Sequence, residues 1–74
     1  MTKPELLAFL AQSANVDTDD VARQFGLSRP AASMALLRLT RQSLAERYLD
    51  AESNVFWYRL SQRGAERLTY LRNL

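Results

Sequence analysis

Apolar positions recur along this chain first at helical spacing, then at alternate residues, then at helical spacing again. Leu6, Leu7, Phe9, Leu10 and Ala14 form a wide stripe that predicts a first helix over about residues 3–13. Thr2-Lys3-Pro4-Glu5 has the spacing of a capping box, and Pro4 falls in the first turn, where a missing N–H costs nothing. A short extended piece is expected around Val16. A second helix begins near Thr18, which is expected to cap it, with Asp19 and Asp20 facing the positive end of the helix dipole. Val21, Ala22 and Phe25 mark its buried side, and Gly26 ends it because glycine accepts the left-handed conformation of a helix C-terminus.

Leu27 dips into the core and Ser28 can cap a third helix from Arg29 to about Gln42, with Pro30 in its first turn. Ala32, Ala35, Leu36 and Leu39 define the buried face; Arg29, Ser33, Met34, Leu37, Arg38 and Arg41 face outward. Beyond the helix, Leu44 and Ala45 return to the core. The pattern then shortens to a period of two: Glu46–Asp50 and Val55–Leu60 read as strands joined by the turn 51–54, where Asn54 tolerates positive φ. Phe56, Tyr58 and Leu60 fall on the face assigned to the core, and Val55, Trp57 and Arg59 on the other. Ser61 can cap a last helix whose inner side carries Ala65, Leu68 and Leu71. Tyr70, Leu71 and Leu74 add an apolar strip that either packs against the first helix or forms a homodimer interface.

The element order predicts a mainly helical α+β fold: three core helices, a β-hairpin folded against them and a C-terminal helix. With 74 residues the chain is expected to be one domain, 1–74, with Met1 as its natural start. So small a core is marginal, and a partner chain would add to it.

Composition narrows the function. No apolar run reaches the roughly 18 residues of a membrane span, and the N-terminus lacks a secretory signal. Cysteine and histidine are absent, which excludes disulfides, zinc sites built on them and histidine-based catalysis. The few carboxylates sit at helix starts and turns rather than in a catalytic pair, and there is no phosphate-binding glycine loop. A cytoplasmic binding module is expected, not an enzyme, with no cofactor and no metal.

Charge adds a direction. Residues 1–27 hold two bases against four acids, whereas residues 28–47 hold four arginines against one acid, Glu46. Nine of the ten bases are arginine, whose planar fork suits phosphates and guanine edges.

The stretch Val21-Ala22-Arg23-Gln24-Phe25-Gly26-Leu27-Ser28 ties pattern to function. Two helices that cross closely need a small residue, here Ala22, and a tight turn, here Gly26. They also need apolar inner sides, here Val21, Phe25, Leu27, Ala32 and Ala35. This is helix-turn-helix spacing, which presents the second helix outward. Together with Ala32-Ser33, Leu36, Leu39, Leu44-Ala45-Glu46-Arg47 and Leu60-Ser61-Gln62-Arg63-Gly64, residues 18–64 resemble the DNA-binding part of MarR-like winged-helix transcriptional regulators. The chain departs from that pattern at Ser43, where those regulators usually have glycine, and at Met34 and Leu37, where their outward face is more polar.

The resemblance implies sequence-specific binding of double-stranded DNA by the third helix in the major groove. Arg29, Ser33 and Arg38 would read or position bases, and Ser28 would cap the helix whose amides can receive a phosphate. Met34 would touch a thymine methyl, and Arg41, Arg47 and Arg59 would contact phosphates. A homodimer would set two third helices about one DNA turn apart. The alternative is a protein-interaction winged helix in a larger assembly, with Met34, Leu37 and Trp57 as its apolar anchors.

Overall fold

Helix starts leave backbone N–H groups without partners, and in this chain short polar side chains fill that need at every helix. A computed structural model describes residues 1–74 and contains α1 (Lys3–Gln12), α2 (Thr18–Phe25), α3 (Arg29–Arg41) and α4 (Gln62–Arg72), with the hairpin β1 (Ala45–Asp50) and β2 (Val55–Leu60) between α3 and α4. Thr2 accepts from the Glu5 amide, Ser28 from Ala31 and Ser61 from Gly64. At α2 the cap is Asp17, not the expected Thr18. Asp17 accepts from the Asp20 amide at 2.8 Å, and Asp20 returns a bond to the Asp17 amide at 3.0 Å. A carboxylate that closes this reciprocal box also meets the positive helix end with a full negative charge, which a threonine hydroxyl cannot do.

Two helices end in the same way. At the end of α2, Gly26 takes φ 65° and the Leu27 amide bonds back to the Ala22 carbonyl. At the end of α3, Ser43 takes φ 63°, its amide bonds to Thr40 and the Leu44 amide bonds to Leu39. Both are Schellman closures, which satisfy the last carbonyls through a left-handed residue. Only the second must force a Cβ into that region. α3 stops at Arg41, with Gln42 as its cap, and α1 stops at Gln12 because Ser13 is already extended, which leaves Ala14 exposed.

The extended chain after α1 carries Val16 against Tyr58, through amide-to-carbonyl bonds of 2.9 and 2.7 Å. β2 therefore lies between Val16 and β1, its antiparallel partner in the register Ala45↔Leu60 to Asp50↔Val55. The core is one cluster of 12 buried residues drawn from every element, with Leu7, Leu10, Val16, Val21 and Leu36 fully enclosed. Phe9 and Phe25 close the α1–α2 side in an edge-to-face contact at 5.7 Å.

The hairpin's inner face meets this core only at its base. Ala45 and Tyr58 are buried and Leu60 half-buried, but Phe56, expected inside, is 44% exposed. A six-residue strand runs about 20 Å, so its outer half reaches beyond the buried cluster, and Phe56 lines a crevice beside α3 instead. Trp57, placed on the far face, is half-buried rather than free, beside Asn15, Tyr48 and Asp50. On α4, Ala65 is exposed, and the inward positions are Gly64, Leu68 and Leu71. A Cβ at Gly64 would lie 1.9 Å from the Leu44 carbonyl oxygen, so α4 approaches the α3 exit backbone to backbone.

Two substitutions should therefore act in opposite directions in urea unfolding followed by circular dichroism. Gly64→Ala should lose about 3 kcal/mol, because a backbone carbonyl cannot yield to the new methyl. Ser43→Gly should gain about 1 kcal/mol, because glycine adopts the left-handed exit without the cost borne by a side chain.

Candidate nucleic-acid interface

α3 buries Ala32, Leu36 and Leu39 and half-buries Ala35, so its remaining residues must divide among the exposed directions. Each residue advances about 100° around the helix axis, and Arg29 and Arg38 therefore lie about two and a half turns apart, on opposite flanks. On one flank Arg29, Ser33 and Leu37 line a crevice of 390 Å³ against the hairpin, with Arg47, Phe56 and Tyr58 on its other wall and Asp17 and Asp19 at its end. On the other flank Arg38 borders a groove with Ala35, Gln42 and the N-terminal residues Met1, Thr2 and Lys3. Between the flanks, Met34 is 43% exposed and Arg41 is exposed. Leu37, expected on the open face, is half-buried in the crevice.

The eight residues singled out in the sequence are thus not one patch. Ser28 is occupied as a cap, accepting from Ala31 at 3.3 Å. Arg29 pairs with Asp19, Nε to Oδ1 at 2.9 Å. Arg47 lies over the Phe56 ring, 4.3 Å from its centroid. Arg59 pairs with Glu46 at 3.4 Å and lies near the Tyr48 ring at 5.8 Å. Arg47 and Arg59 occupy opposite faces of the hairpin, because the pairs Arg47↔Tyr58 and Glu46↔Arg59 are adjacent in the register and successive pairs alternate. Arg38, Arg41 and Arg47 have no carboxylate within ion-pairing distance, which leaves them as the electrostatically available cations of this surface.

Two participants escaped the sequence reading. Asp19 was explained there by the α2 dipole, although its side chain reaches across to α3. Phe56 was assigned to the core, although it serves as the platform under Arg47. Strand length was the available signal for Phe56. Asp19 had none, because the pairing depends on how α2 and α3 cross.

The hairpin tip is an acidic, self-bonded turn. Asn54 takes φ 58° and its amide bonds to the Asp50 carbonyl, while the Asp50 carboxylate accepts from the Glu52 amide at 3.1 Å. This amide bond, supported by the Ser53 and Trp57 side chains, holds the Asp50 carboxyl below its ordinary pKa of 3.8. With Glu52 beside it, the tip repels phosphate, so the cationic part of the hairpin is its middle, at Arg47.

No protein-family model and no curated protein sequence matches the chain. Solved structures do. A MepR mutant of S. aureus superposes with a TM-score of 0.84 at 23% identity, over 96% of this chain and 54% of that one. MarR of E. coli gives 0.82 at 16% identity, over 92% and 51% of the two chains. The transcriptional regulator BldR of Sulfolobus solfataricus gives 0.81 at 17%, over 96% and 54%. The fold is that of the MarR-type winged helix. In this vocabulary α3 is the second helix of the helix-turn-helix and the β1–β2 hairpin is the wing. The chain spans about half the length of these structural neighbours. None of its helices is long and apolar enough to cross a membrane.

The tip predicts a specific acid response. Because Asp50 titrates below 3.8, its hold on the turn is complete above that pH and is lost as pH falls through the lowered value. In an NMR pH titration the Glu52 amide should follow the Asp50 carboxyl, with a midpoint below 3.8. A midpoint at or above 3.8 would remove the turn bond as a cause.

Proposed function

We propose that this chain binds double-stranded DNA as a sequence-specific transcriptional regulator, with α3 in the major groove. The observation that carries this reading is that α3 turns a full face out of the core, with Met34 and Arg41 at its centre and cations on both flanks. A helix about 20 Å long and 10–12 Å across fits a major groove about 12 Å wide. In that pose Arg29 and Ser33 meet base edges on the wing side and Arg38 does so on the α1 side. Met34 meets a thymine methyl. Arg41 and Arg47 neutralise phosphates, and Arg59 does so only by giving up Glu46. The fold shared with transcriptional regulators is consistent with this use.

The second reading is a protein-interaction module. Met34, Leu49 and Phe56 favour it, being 43%, 50% and 44% exposed, the first on α3 and the other two on the wing. The two separate in an amide-shift titration with mixed-sequence duplex. DNA binding should perturb residues 29–41 and lose about a hundredfold in affinity between about 50 and 200 mM salt, as expected for roughly four phosphate contacts. Arg38→Ala should then weaken binding several-fold. No shift at either salt would overturn the DNA reading and leave the apolar surface as the functional one.

We extend the proposal to a homodimer seated on α4 and the residues just after it, where Tyr70 is 60% and Leu74 82% exposed, while Leu71 packs on the core cluster. Sedimentation equilibrium should show a dimer that Tyr70→Glu dissociates. A wild-type monomer at every concentration would overturn this extension.

A further inference from the structure

Arg29 is oddly placed for a simple phosphate contact. It is the first residue of α3, where the helix dipole is positive and disfavours a cation. Its side chain is 74% exposed, so without a partner its guanidinium would sample many directions. Instead its Nε lies 2.9 Å from Asp19 Oδ1 in an ion pair. The three acids at the start of α2 have separate tasks: Asp17 caps the helix, Asp20 closes the box and pairs with Arg23, and Asp19 reaches across the turn to Arg29. The box fixes the first turn of α2, and with it the position from which Asp19 reaches. The close approach is to Nε, the inner nitrogen of the guanidinium, and the outer edge with its two terminal nitrogens is the fork that matches guanine O6 and N7.

We propose that Asp19 is a positioning residue for base recognition, aiming the free fork of Arg29 at a guanine in the major groove. This rests on the DNA-binding reading above. Asp19 also places a carboxylate beside the phosphate backbone, which weakens binding to every duplex alike. It therefore exchanges affinity for selectivity. Removing its charge should raise general affinity and lower the preference at one base pair, a combination that mere structural damage would not produce.

The experiment selects from a randomised duplex pool with the wild-type protein, Asp19→Asn, Asp19→Glu and Arg29→Ala. The wild type should enrich a G·C pair whose preference Arg29→Ala abolishes, since one forked contact discriminates by roughly tenfold. Asp19→Asn should keep less than about a third of that preference, leave other positions unchanged and bind the unselected pool about two to five times more tightly. Asp19→Glu, which restores a carboxylate, should retain the preference. Independently of DNA, the Arg29 Nε–H resonance of the free wild-type protein should shift in Asp19→Asn by more than any other arginine side-chain resonance. Three results would overturn the proposal alone: Asp19→Asn with wild-type preference, a loss spread evenly over all positions, or an Arg29 Nε–H resonance that Asp19→Asn leaves in place. A wild-type protein that retains no duplex from the pool would overturn the DNA-binding reading as well.

Discussion

The carbonyl of Leu44 is the point through which α3, the wing and α4 are joined. Leu44 is buried, its amide closes the end of α3, and its carbonyl accepts the Ser61 amide at 3.1 Å. The Cα of Gly64 lies against the same carbonyl so closely that no side chain fits. Ser61 adds a hydroxyl bond to the Ser43 carbonyl at 2.7 Å. The base of the wing and the start of α4 are thus tied to the exit of α3 by backbone contacts rather than by interchangeable apolar side chains. The direction in which the wing leaves α3, and therefore the shape of the crevice between them, follows from this junction. Its cost is the left-handed Ser43, a backbone state that this sequence occupies with a Cβ.

The charges on this frame are sorted by partner rather than by number. Arg23, Arg29 and Arg59 are held by carboxylates, Arg47 by an aromatic ring, and Arg38 and Arg41 by neither. Exposed ion pairs such as these add little to stability, commonly below about 1 kcal/mol. Their consequence is where they leave net positive charge: along the outer and α1-side faces of α3 and on the mid-wing, away from the acidic tip at Asp50 and Glu52. A nucleic acid approaching this surface would meet orientable cations on α3 first.

The structural neighbours show how loosely surface and fold are coupled. At 16–23% identity they superpose on this chain with TM-scores above 0.8. In this chain the frame is marked by caps, one small residue at a helix crossing and a single apolar cluster. The outward side chains of α3 are under no such constraint, and in this chain they include Met34 and Leu37 as well as arginines.

The sequence by itself determined the order of elements, because apolar periodicity and capping chemistry are local. Gly26, Ser28 and Ser61 act where their residue types placed them, and Val16 forms the expected extended piece. The resemblance across residues 18–64 named the fold that the superpositions share. Local rules also explain the misassigned α2 cap: Asp17 and Thr18 are both competent, and only the reciprocal bond with Asp20 separates them. Tertiary structure alone decided which faces are covered. Alternation put Phe56 with Tyr58, but Tyr58 reaches the buried cluster while Phe56 lines the open crevice beside α3, so one is buried and the other exposed. Helical spacing already sets Arg29 and Arg38 on opposite flanks of α3, but only the packing decided that the wing borders the one and the N-terminus of α1 the other. The pairing of Asp19 with Arg29 depends on the crossing of two helices. A linear pattern cannot carry that information, because it records which residues share a face of one element and not which element comes to lie against it.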